Sequence, residues 1–205
     1  VLKYRIYKDG VILTEFYGEP YGKMPNVLPK IGFEIKLNKQ YNTAEWFGRG
    51  IIENYADRKS GTPIGLYKLP VEDMSFEYDR PQENGNRCDN RFVNIISDNN
   101  GGITIFGADT FDFSIHDYSL ENLMKAEHFG EIEKSKENYL YIDYKTRGLG
   151  NASCGSEPER CHELYPHTFR FVFGIKPYTA TESALDFAQT AFDVQTEKLS
   201  DEYIY

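Results

Sequence analysis

An all-β fold, a large antiparallel β-sandwich with one or two peripheral helices, is predicted by three observations. Apolar and polar residues alternate in many short runs, as they do in strands with one buried face. Asp9-Gly10 and Asp98-Asn99-Asn100-Gly101 stand between such runs as hairpin turns. Aromatic residues reach 15%, with 16 tyrosines and 14 phenylalanines, side chains that favour a pleated, half-buried surface. The chain's 205 residues suffice for one domain with a sizeable core.

Val1 to Glu19 reads as a hairpin, Leu2, Tyr4 and Ile6 alternating with Lys3, Arg5 and Tyr7 before the Asp9-Gly10 turn. The chain therefore begins inside a strand pattern, and earlier strands of the same domain are expected upstream. Pro20 to Pro29 is a loop, and Lys30 to Lys36 a strand with Ile31, Phe33 and Ile35 on one face. Ile64 to Leu69 is a short strand, turned at Pro70 to Asp73 into Ser75 to Tyr78. Phe92 to Ser97 and Gly102 to Gly107 pair across their turn, and Phe111 to His116 forms a separate strand. Ser119 caps a helix predicted through His128, with Leu120, Leu123, Met124 and Ala126 as its buried side. Tyr139 to Tyr144 and His167 to Ile175 complete the strands, the last apolar enough for burial on both faces. The sandwich is thus assigned to 1–177. A helical tail is assigned to 178–205, with Ala184, Leu185, Ala188, Ala191 and Phe192 as its stripe.

Two polar segments interrupt this pattern. Ala44 to Gly61, AEWFGRGIIENYADRKSG, carries the only tryptophan and reads as a strand to Phe47 followed by a glycine-hinged loop. Its apolar residues Trp46, Phe47, Ile51, Ile52 and Tyr55 are expected to form a small core, with Glu53 and Asp57 meeting Arg49 or Arg58. Arg80 to Arg91, RPQENGNRCDNR, has three arginines and four amides around a glycine. Together the segments are either two halves of a site or two loops that need satisfied hydrogen bonds to hold their shape.

Composition excludes several classes. A net charge of -9 and a pI near 5.0 leave no basic stripe for nucleic acid. No apolar run is long enough to span a membrane. Three cysteines, Cys88, Cys154 and Cys161, at irregular spacing argue against a disulfide framework and for a reducing, cytoplasmic setting. Cys154 and Cys161 with His162 or His167 match no defined metal spacing, so no metal site is expected.

WFGRGIIENYADRKSG, DMSFEYDRPQENGNR, FDFSIHDYSLENLMKAEH and IDYKTRGLGNASCG, in this order, resemble the carboxy-terminal domain of the β-galactosidases of glycoside hydrolase family 2. The resemblance covers Pro25 to Pro177 and implies a large twisted sandwich like that of sugar mutarotases. It further implies hydrolysis of terminal non-reducing β-galactose, as in lactose, by two glutamates in a separate barrel domain outside this chain. No catalytic residue is then expected here, and the chain alone should be inactive. Magnesium and sodium would be held by other domains, and none by this chain. The expected partners are the remainder of the enzyme, the galactoside and further copies of the intact enzyme.

The site residues that the resemblance implies are Asn151, Ser153, Cys154 and Gly155, in a loop that reaches the sugar pocket from outside the barrel. Some members of the family place a tryptophan at its end, whereas this chain has Gly155 there, or Cys154 with a one-residue shift. Glu53, Asp57, Glu83 and Asp89 are the loop carboxylates from which a retaining pair about 5–5.5 Å apart could be drawn. Neighbouring arginines fit them better for structural ion pairs. Two other functions fit a sandwich: an independent carbohydrate-binding module, with exposed aromatics on its concave sheet, and a mutarotase-like epimerase, with His116 facing Glu53 or Glu83.

Overall fold

The structure is a computed structural model that describes residues 1–151 and 155–181. Its nine strands are β1 (Leu2–Ile6), β2 (Ile12–Gly18), β3 (Lys30–Asn38), β4 (Tyr41–Arg49), β5 (Ile64–Pro70), β6 (Arg87–Ser97), β7 (Gly102–His116), β8 (Glu137–Thr146) and β9 (Phe169–Tyr178). All pairings are antiparallel, in the order β1-β2-β9-β7-β6-β4-β5, with β3-β8 joined to β7. The all-β sandwich read from the sequence is the fold observed. The tail residues from 182 onward, including the predicted apolar stripe, lie outside the described residues.

β7 makes two layers out of one hydrogen-bonded network. Its first part, Gly102 to Gly107, pairs with β9, and its second part, Asp112 to His116, pairs with β8. The two sequence runs predicted as separate strands are therefore one strand, irregular where Asn90 and Phe92 shift register against it. The change of partner brings β3 over β2 and β9, where the Phe33 ring lies 5.3 Å from both Phe16 and Phe173. Such aromatic contacts across strands that share no hydrogen bonds are the face-to-face packing of a sandwich.

The core is filled from every strand of the inner layers. Trp46, Val93, Ile95, Ile105, Phe111, Phe113, Ile115, Leu140 and Ile142 are all buried, with Trp46 edge-on to Phe113 at 5.7 Å. β4 runs two residues past the predicted Phe47 because Gly48 and Arg49 still pair with Gly65 and Ile64. Glycine suits that position, since a Cβ at Gly48 would sit 2.1 Å from Asn90 Oδ1.

Three other expectations are corrected. Ser75 to Tyr78 is irregular, after a 3-10 turn at Val71–Asp73. The helix α1 covers only Leu120–Lys125; Ser119 caps it, but only Leu123 is buried and Met124 is 79% exposed. Ile51 and Ile52, expected in the small core with Trp46 and Tyr55, are exposed.

The polar alternates of β7 are buried as well. Asp112, Ser114 and His116 sit opposite Asp143, Tyr141 and Tyr139 of β8. Desolvation raises the Asp112 carboxyl to about 6 and the Asp143 carboxyl to about 8, the latter also repelled by Asp112 and Glu83 although Lys30 Nζ lies 3.9 Å away. His116 is pushed down to about 3 by burial, then by Lys30 and Arg87, so its imidazole is neutral.

Two outcomes follow. Phe113→Ala lowers unfolding free energy by about 3–5 kcal/mol, while Met124→Ala stays within about 0.5 kcal/mol, as urea denaturation will report. An aspartate whose pKa is raised in the folded state binds its proton more tightly folded than unfolded. Its stabilising contribution is full below about pH 4 and is lost as pH rises through the folded value, near 8 for Asp143. Asp143→Asn, which stays neutral, therefore raises the melting temperature at pH 9 by at least about 2–4 °C relative to the parent chain and changes it less at pH 5. An equal shift at both values would refute the assignment.

Candidate functional site

The two polar segments fold against each other. Glu53 accepts from the Gly85 amide at 2.8 Å, from Arg58 Nη2 at 3.0 Å and from the Tyr78 hydroxyl. Asn54, fully buried, accepts from the Cys88 amide at 2.7 Å, and its carbonyl receives the Asn86 amide group at 2.9 Å. Arg87 is buried too, donating to the carbonyls of Ile51 at 3.1 Å and Gly85 at 2.8 Å while lying over Trp46. Arg49 and Lys59 both hold Asp89; burial opposes its charge, but their hydrogen bonds outweigh burial and lower its pKa.

The four loop carboxylates are thereby all engaged. Glu83 pairs with Lys30 at 3.4 Å, and Asp57 meets no arginine, contrary to expectation. Its two oxygens instead accept the backbone amides of Leu149 at 3.2 Å and Gly150 at 2.7 Å, across more than ninety residues of chain. None is left as a free acid or nucleophile, which agrees with the structural reading of these charges.

The contact of Asp57 with Leu149 and Gly150 is what sequence reasoning missed, and it holds the chain just before the predicted site. The carboxylate anchors the loop that leads from β8 into Asn151. Beside it, the Gly148 amide donates to the His162 carbonyl at 2.9 Å, and Gly150 turns the chain at φ +63°, a conformation that glycine adopts without strain. Arg147, just before, forks onto Glu163 and reaches Glu157 at 2.8 Å. Of the predicted site residues, Asn151 and Gly155 are exposed and adjacent: the Asn151 amide donates to the Ser156 carbonyl at 3.0 Å, and a Cβ at Gly155 would lie 2.9 Å from Asn151 Cβ. Ser153 and Cys154 lie outside the described residues.

An open cleft of about 630 Å³ lies beside this anchor, lined by Ile52, Glu53, Asp57, Arg58, Phe76 and Tyr78. Ile52 and Phe76 of this lining are more than half exposed, and Ile51 after β4 and Ile64 and Leu66 on β5, the last strand of the sheet order, are each at least 46% exposed.

The epimerase arrangement is not formed. His116 is buried, bonded through Nδ1 to Ser75 Oγ at 2.8 Å and stacked on Tyr118, while Glu53 and Glu83 are occupied as above. Among the described residues the exposed aromatics Tyr4, Tyr17, Tyr21, Phe76, Phe129 and Tyr165 are scattered over separate elements and loops, and of these six only Phe76 lines the cleft, which removes the main support for a binding module. Glu159, Cys161 and His162 bring three ligand atoms within 4.8 Å of one another. A thiol and an imidazole suit neither magnesium nor sodium, which take oxygen ligands.

The described helices include none long and apolar enough to cross a membrane. Cys88 is free and buried, and Cys161 free and exposed.

Residues 1–175 match the family of the beta galactosidase small chain. The chain is 33% identical over 178 residues to a beta-galactosidase of Kluyveromyces lactis, and 32% identical over 176 residues to one of Priestia megaterium. It is 30% identical over 174 residues to one of Actinobacillus pleuropneumoniae. In each comparison 85% of this chain is covered but only 17% of the relative, so the chain spans about a sixth of the length of these enzymes. On this match and on its sandwich fold, the chain belongs to the β-galactosidase small-chain family.

Proposed function

We propose that this chain is the terminal sandwich domain of a β-galactosidase of glycoside hydrolase family 2, acting in the hydrolysis of terminal non-reducing β-D-galactose residues such as that of lactose. Its part is to complete the rim of the active-site pocket with Asn151, Ser153, Cys154 and Gly155. The observation that carries this reading is the anchoring of that loop: Asp57 takes two successive backbone amides just before Asn151. A loop that must present small groups to a sugar has to be held in place, because misplacement by about 1 Å costs up to about 100-fold in rate.

The exposed apolar side chains Ile51, Ile52, Ile64, Leu66 and Phe76 support the second part of the proposal, docking against the remainder of the enzyme. The relatives are about six times as long as the matched region, which leaves ample protein to cover it. The catalytic glutamates, magnesium and sodium belong to that remainder, and the intact enzyme assembles from several copies. Free Cys88 and Cys161 fit a cytoplasmic setting.

Hydrolysis of a chromogenic β-galactoside, with magnesium and sodium present, tests the reading. The chain alone gives no turnover, and activity appears when it is combined with the catalytic portion of its parent enzyme; turnover by the chain alone would overturn the proposal. In the combined enzyme Asp57→Ala lowers kcat/KM by about tenfold or more. Asp57→Asn, which keeps one acceptor oxygen, falls between, and wild-type kinetics in both variants would show that the anchor is irrelevant to the pocket.

A further inference from the structure

We propose that Glu159, Cys161 and His162 form a site for a borderline-soft divalent cation, of which zinc is the type. The three residues sit on and beside the 3-10 turn Arg160–His162, and each offers a different ligand atom: a carboxylate oxygen, a thiolate sulfur and an imidazole nitrogen. All three atoms lie within 4.8 Å of one another, and Cys161 Sγ is already 3.8 Å from a Glu159 oxygen.

That spacing is close to what zinc needs. Bonds of about 2.0–2.3 Å in a tetrahedron set neighbouring ligands about 3.3–3.8 Å apart. The longest separation must close by about 1 Å, within reach of exposed side chains whose backbone is fixed. Glu159 and Cys161 are exposed, so metal binding does not require opening the fold. A pair of nitrogen and sulfur ligands selects zinc over magnesium or calcium, and a fourth position is left to water. Glu157 and Glu163 add negative charge along the same segment, partly balanced by Arg147.

The backbone of this turn is coupled to the loop described above. The His162 carbonyl receives the Gly148 amide at 2.9 Å, so a cation that holds His162 also stiffens the start of the loop leading to Asn151. Metal occupancy would then be felt at the pocket rim; that consequence rests on the proposed function, whereas the site itself does not.

The test is titration of the metal-free full chain with cobalt(II), then zinc. Cobalt should give a thiolate charge-transfer absorption at one ion per chain, displaced by zinc, with calorimetry reporting the affinity. Cys161→Ser should abolish the absorption and, like His162→Ala, weaken zinc binding by at least about tenfold, and Glu159→Gln should weaken it less. Cys154→Ser should bind as the parent chain does. Circular dichroism of each variant separates loss of ligand from loss of fold. No stoichiometric binding by the parent chain, equal binding by folded Cys161→Ser, or loss of binding in Cys154→Ser would each overturn the site. Failure of galactoside hydrolysis on mixing would overturn the functional reading and leave this one standing.

Discussion

Side-chain acceptors satisfying the backbone of distant loops are the constraint on which the rest depends. Within five residues Glu53, Asn54 and Asp57 serve the amides of Gly85, Cys88, Leu149 and Gly150. The amides of Gly85, Leu149 and Gly150 belong to loops outside the sheet, and that of Cys88 to the start of β6, where the register with β7 is interrupted between Arg87 and Asn90. A buried N–H without a partner costs about 1–3 kcal/mol, so each loop is held where an acceptor awaits it. The three acceptors sit on a turn that follows β4, and β4 is fixed by Trp46 in the main core. Packing therefore places the acceptors, and the acceptors place the loops.

The buried and partly buried carboxyls show the same logic with opposite charge consequences. Glu53 and Asp89 are surrounded by donors and cations, and each engages several of them. Asp112 and Asp143 face each other across β7 and β8, where desolvation dominates and a proton is the cheaper companion. Lys30 stands near both Glu83 and Asp143, but it lies closer to Glu83, and one ammonium cannot fully neutralise two carboxylates. The layer is polar and closed to solvent, with Ser114 Oγ and Asp143 Oδ2 buried without a hydrogen-bond partner, and its enclosure suits a support better than a reaction centre.

Local signals made much of this fold legible. Asp9-Gly10 fixes the first hairpin, with Gly10 at φ +85°, and the alternation of Lys30 to Lys36 continues to Asn38 as written. What failed was tertiary in origin. The runs ending at Gly107 and starting at Phe111 look separate because three polar or small residues intervene, yet one strand passes through by exchanging β9 for β8. The helix after Ser119 has a good cap and an apolar pattern, but the core offers room only for Leu123. Arg87 reads as a loop residue and lies instead at the start of β6, buried over Trp46, because three backbone carbonyls accept its protons. The Asp57 anchor spans the chain and left no local trace at all.

The distribution of charge also bears on where catalysis can occur. A retaining glycosidase needs one carboxyl that is protonated near neutral pH and another that is ionised, both open to the sugar. The carboxyls raised into that range, Asp112 and Asp143, are enclosed, and those beside the open cleft, Glu53 and Asp57, are committed to holding backbone and side-chain donors. Proton affinity and access are thus found on different residues among those described. Among these residues the accessible carboxyls hold loops in position, and those that keep a proton near neutral pH support the sheet from inside.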